Sequence, residues 1–73
     1  MTNVEIEAPT TGTVWKVERK AGEPVQEGEV VLILESMKME IPVESPRAGI
    51  VSSMKVAPGD TVEEGQILCV VQP

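Results

Sequence analysis

Displaced by 37 residues, the chain superimposes on itself without a gap. Pro9 falls on Pro46, Gly12 on Gly49, Val14 on Val51, Gly22 on Gly59, Val25 on Val62, Glu27 on Glu64 and Gly28 on Gly65. Glu23 meets Asp60, Val30 meets Ile67 and Ile33 meets Val70. The best-matched stretch sets Gly-Glu-Pro-Val-Gln-Glu-Gly (22–28) against Gly-Asp-Thr-Val-Glu-Glu-Gly (59–65). Matched valines alone arise from common strand usage, but glycines and a proline in register do not. Neither half is large enough to bury a core alone, so the two must pack on each other about a pseudo-two-fold axis. The half-repeats are 9–34 and 46–71, and residues 35–44 connect them within a single domain, 1–73.

Val, Ile and Leu number 12, 5 and 3, so most of the aliphatic mass is β-branched, stiff at χ1 and suited to pleated structure. Six Gly and six Pro cut the chain into segments too short for ordinary helices. Val4, Ile6 and Ala8 alternate with Glu5 and Glu7, the pattern of a half-buried strand. Further strands are expected over Gly12 to Arg19, Ile50 to Val56 and Ile67 to Val71. Val30 to Leu34 reads as a fully buried strand. Ile41 and Val43 make a short one that Pro42 confines to a sheet edge. The fold class is all-β, a flattened barrel or sandwich of two small antiparallel sheets. Its symmetry sets the 35–44 connection and the chain ends at opposite ends of the domain.

Composition removes several functions. Twelve acidic against six basic side chains, net −6, argue against a phosphate backbone, and a single aromatic, Trp15, provides no base-stacking platform. The absence of His rules out Ser-His and Cys-His pairs and the common zinc sites, so neither catalytic residues nor metal ligands are expected. Cys69, the one cysteine, aligns with Leu32 and reads as a small buried hydrophobe. Without an internal disulfide, and with apolar runs as short as Val30–Leu34, the chain is expected to be cytoplasmic and away from membranes. Trp15 aligns with Ser52, breaks the symmetry and reads as a partly exposed packing residue.

The connection between the repeats carries the unusual chemistry: Glu35-Ser36-Met37-Lys38-Met39-Glu40. A tight hairpin favours Asn-Gly or a similar pair at its tip, where φ is positive, yet here stands Met-Lys-Met. Two thioethers flank one ammonium group at the bend. Residues 35–40 also suit one helical turn, and either Met is able to fold inward as a cap.

Glu-Ser-Met-Lys-Met at 35–39, midway between Gly-rich half-repeats, resembles the attachment motif of biotinyl domains. The resemblance spans essentially the whole chain, with Gly22 and Gly49 at the family spacing from the lysine. It is strongest to small free-standing biotin/lipoyl attachment proteins of the biotin carboxyl carrier type. It implies a carrier, not an enzyme: a biotin protein ligase joins biotin to Lys38. The tethered biotin then moves carboxylate between biotin carboxylase and carboxyltransferase components. Met37, Met39 and Glu35 are the implied recognition and positioning residues, and the carrier is expected to be a monomer. Ser36 stands where the family favours Ala, and the chain has no room for the protruding loop of some acyl-CoA carboxylase carriers. Two alternatives stay open. One is a lipoyl carrier of a 2-oxoacid dehydrogenase or glycine cleavage system, whose motif is typically Asp-Lys-Ala. The other is an unmodified interaction module.

Overall fold

A computed structural model describes residues 2–73. The elements are β1 (Val4–Glu7), β2 (Gly12–Val17), β3 (Pro24–Val25), β4 (Val30–Ser36), β5 (Met39–Glu44), β6 (Gly49–Met54), β7 (Thr61–Val62) and β8 (Ile67–Gln72). They form two antiparallel sheets, ordered β1-β8-β6-β3 and β5-β4-β2-β7. The all-β sandwich expected from the Val/Ile bias is therefore present. Among the described residues no helix is long and apolar enough to cross a membrane.

The 37-residue offset carries through the coordinates. It relates β2 to β6, β3 to β7 and β4 to β8, and it relates each sheet's strand order to the other's. The short strands interlock the halves: β3, from the first, adds to β6, while β7, from the second, adds to β2. Gly22 N–H donates to the Val51 carbonyl and Val51 N–H to that of Glu23. One repeat later, Gly59 N–H donates to Val14 and Val14 N–H to Asp60. Each half therefore completes one edge of the other's sheet.

Most of the core follows the same rule. Ile6/Val43, Val14/Val51, Val25/Val62, Val31/Leu68, Leu32/Cys69 and Leu34/Val71 are pairs at this offset, and every member is buried. Ala8, also buried, is matched by Ser45, the one buried polar side chain among the described residues. Ser45 keeps its hydroxyl satisfied within its own turn, donating to the Arg47 carbonyl and accepting from Arg47 N–H at 3.3 Å. Burying a hydroxyl therefore costs little here.

Turn chemistry also repeats. Gly22, Gly28, Gly59 and Gly65 hold φ between 85° and 96°, a region that penalises any Cβ. The residue after each glycine closes the turn with its side chain: Glu23 accepts from Lys20 N–H, Asp60 from Ala57 N–H, Glu29 from Gln26 N–H and Gln66 from Glu63 N–H. Gly12 and Gly49 serve a different need. A Cβ on Gly12 falls 2.7 Å from the Glu35 carbonyl oxygen, and one on Gly49 falls 2.3 Å from that of Gln72.

Several sequence expectations need correction. β2 stops at Val17, not Arg19, because Glu18 and Arg19 N–H both turn to the Val31 carbonyl. β6 spans Gly49–Met54, not Ile50 to Val56: its register with β8 ends at Met54–Cys69, beyond which Lys55 N–H makes a last bond to the Leu68 carbonyl. The Val30–Leu34 run is not wholly buried: Val30 and Ile33 are partly open, since β4 keeps an outer face that no layer covers. The two-residue strands β3 and β7 are too short to show any periodicity. Pro42 does lie on an edge strand, β5.

Cys69 is fully buried, and burial pushes its thiol up from an ordinary 9.0 to about 11. The unfolded thiol ionises first, so its contribution to stability is complete below pH 9 and is lost as pH rises toward 11. Thermal melts across pH 8–11 should therefore fall more steeply for the natural chain than for Cys69→Ala. A Gly49→Ala variant should lose about 1–3 kcal/mol in denaturant unfolding, because the added methyl meets backbone rather than a movable side chain.

Candidate functional site

The β4–β5 hairpin is the longest two-stranded ribbon in the fold, and its register runs unbroken from Leu32–Val43 to Ser36–Met39. Pairing of Ser36 with Met39 leaves only Met37 and Lys38 to make the turn. The tip is thus Met37-Lys38, and Met39 belongs to β5, so the helical turn considered for 35–40 does not form. Both turn residues have positive φ, 52° at Met37 and 63° at Lys38, and they are the only non-glycine residues so placed among the described residues. This is the I′ pattern, which matches the strand twist but usually requires Asn or Gly. Each ordinary side chain held there costs about 1–2 kcal/mol. The rest of the hairpin imposes that conformation.

The strain gives exposure. Two consecutive left-handed residues reverse the chain in the fewest possible atoms, so Lys38 stands at the apex with nothing packed over it. It makes neither an ion pair nor a side-chain hydrogen bond among the described residues. Met37 is 92% exposed and Met39 62% exposed, so neither folds inward as a cap. Glu35 is exposed two rows below the turn, directly opposite Glu40. The backbone beneath is held by close approach: only a glycine at 12 lets β2 pass this near the Glu35 carbonyl.

A groove along the seam between β1 and β5 is lined by Ile6, Glu7 and Pro9 and by their counterparts Val43, Glu44 and Pro46, so it lies on the pseudo-two-fold axis. From there β5 leads back to the turn, and β1 leads back to Val4, which pairs with Val71. An exposed primary amine on a rigid projection suits covalent attachment of a cofactor. Lys38 would hold the group and the two thioethers would border it.

The strain predicts a gain on relief. Replacing the turn by Asn-Gly (Met37→Asn with Lys38→Gly) should raise stability by about 1–2 kcal/mol, shifting the thermal midpoint up by about 4–8 °C or more. Calorimetry of the double variant checks this.

Comparison with known proteins agrees with this geometry. The biotin/lipoyl family profile, described as "Biotin-requiring enzyme", matches residues 4–71. The biotin/lipoyl attachment protein of Bacillus subtilis (strain 168) is 61% identical over 31 residues, 42% of either chain. The match thus spans under half of that relative. The structure of Kluyveromyces lactis urea carboxylase superposes over 99% of this chain with a TM-score of 0.92 and 30% identity, though over only 6% of that much longer enzyme. The lipoyl domain of the Azotobacter vinelandii 2-oxoglutarate dehydrogenase complex superposes over 96% of both chains, with a TM-score of 0.81 and 28% identity. With the profile covering nearly all of the sequence and the duplicated sandwich matched from end to end, the chain belongs to the biotin/lipoyl attachment domains, non-catalytic carriers of a covalently held cofactor.

Proposed function

We propose that this domain is the biotin carrier of a carboxylase, with Lys38 the residue that a biotin protein ligase acylates. The observation that carries the reading is the strained two-residue turn, which leaves the Lys38 amine in the open with an exposed thioether on either side. Residues 1–73 act as one attachment unit. Its half-repeats, 9–34 and 46–71, form the rigid body that presents the 35–44 hairpin.

The chemistry required of the chain is small. The ligase takes up the proton that Nζ loses as it attacks the carboxyl of biotinyl-adenylate, and the new C–N bond forms as the bond to AMP breaks. The product is a neutral amide, stable enough for a permanent tether. Met37 and Met39 supply an adaptable apolar border, and Glu35 supplies a charge beside it. When bound, biotin provides the nitrogen that accepts and releases carboxylate; the protein provides position and reach. Tethering keeps the group at high effective concentration for biotin carboxylase and carboxyltransferase components in turn. The domain works as a monomer in the cytoplasm.

Lipoate on the same lysine is the second reading, favoured by the end-to-end likeness to a lipoyl domain. Met37 and Met39 stand where lipoyl motifs typically carry Asp and Ala, which favours biotin. Intact mass separates the two. Incubated with biotin, ATP and a biotin protein ligase, the natural chain should gain one biotin and Lys38→Ala none. Equal gain by both variants, or gain only from lipoate and its own ligase, contradicts the biotin assignment.

A further inference from the structure

Trp15 is 50% exposed, the largest apolar side chain in the protein to be left so open. Its placement has a cause. Pairing between β2 and β4 slips between Val14 and Lys16, so Trp15 and Lys16 stand together opposite Ile33 while Val14 and Val17 turn into the core. Bulges of this kind re-aim a side chain. Ile33 in turn pairs with Pro42. An apolar stripe, Trp15–Ile33–Pro42, therefore crosses the outer face of the sheet that carries Lys38. The next row toward the tip is Glu35 opposite Glu40. Like charges so placed cost stability, and neither is ion-paired among the described residues.

The pseudo-two-fold axis provides an internal control. The same bulge recurs in β6, between Val51 and Ser53, on the same backbone plan. There, the counterpart of Trp15 is Ser52, that of Pro42 is Glu5, and those of Glu35 and Glu40 are Gln72 and Asn3. The fold thus needs neither an indole at the bulge nor an acid pair beside it. Only the face bearing the attachment lysine has them.

We propose that this face is the docking surface by which a biotin protein ligase selects Lys38. The indole of Trp15 enters an apolar recess of the ligase, and basic side chains meet Glu35 and Glu40. The inference rests on the reading that Lys38 is acylated. A ligase must choose one amine among four exposed lysines, Lys16, Lys20, Lys38 and Lys55. A carboxylase component meets a lysine already marked by its cofactor, so the need for selection falls on the ligase. Reach is adequate. Trp15 stands opposite Ile33, four residues and roughly 13 Å along the sheet from Met37. An ordinary interface covers about 800 Å² per partner, a patch of roughly 16 Å radius, so an enzyme that engulfs the tip also covers the indole. Tryptophan at such a position tends to dominate affinity, and unpaired acids add steering toward a basic partner.

The test is steady-state biotinylation by a biotin protein ligase with biotin and ATP, varying the carrier. Trp15→Ser, which installs the residue found at the symmetry-related bulge, should raise KM for the carrier about tenfold or more with kcat within about twofold. Glu35→Gln with Glu40→Asn should also raise KM and flatten its dependence on salt. Because Trp15 is the only aromatic residue in the chain, indole-specific labelling of the natural protein gives a second readout. 5-Fluorotryptophan at position 15 should show a shifted and broadened fluorine signal on titration with ligase. An unchanged KM for Trp15→Ser, a fall in kcat alone, or an unmoved fluorine signal overturns the docking surface. If the natural chain takes no biotin, the carrier reading fails and this inference falls with it. If it is labelled and Trp15→Ser matches it, only the docking surface fails.

Discussion

The structure depends on one contact, the packing of two small sheets through side chains that occur in pairs 37 residues apart. Six such pairs supply nearly all the fully buried mass, and most are Val or Leu. A chain this short has little core to spend, and an open sheet would leave one apolar face in water. Duplication resolves this by making each half the lid of the other. The exchange of β3 and β7 between sheets adds backbone bonds that neither half can make alone. The result is a body rigid enough to impose a conformation on a segment that does not favour it.

That segment is the β4–β5 turn. Met37 and Lys38 are poor residues for positive φ, and no local interaction compensates them. The cost is borne by the paired strands beneath, whose register admits only two residues at the reversal. A looser loop of glycines would be cheaper and would let the amine wander. Holding an ordinary lysine in a left-handed turn keeps the amine at a defined place while its own methylene stem stays free. The same trade is seen at Gly12, where a missing Cβ lets β2 lie against the Glu35 backbone.

Much of this was legible from residue order. The matched stretches 22–28 and 59–65 stood out in the sequence, and all four of their bounding glycines, 22, 28, 59 and 65, have positive φ. The valine-rich stretches located the long strands, and Pro42 marked an edge. The odd Met-Lys-Met tip drew attention because it broke turn preferences. Other features left no readable trace. Strands of two residues have no periodicity, and the end of β2 is decided by where the Val31 carbonyl finds its donors. The bulge at Trp15 is a matter of register between strands, so its outward aim is invisible until β2 and β4 are paired. Nor did spacing reveal that Glu35 faces Glu40, since that follows from a turn of two residues rather than three.

The two halves are alike where the fold needs them to be and unlike where Lys38 is presented. If geometry rather than local sequence makes that lysine the acceptor, the most direct measurement compares ligase kcat/KM for the folded chain with that for a linear peptide of residues 33–42. Preorganisation predicts that the peptide is charged at least about a hundredfold less efficiently. A peptide charged within a few fold of the folded domain would contradict the account, for it would mean that the sandwich contributes nothing to the choice of its lysine.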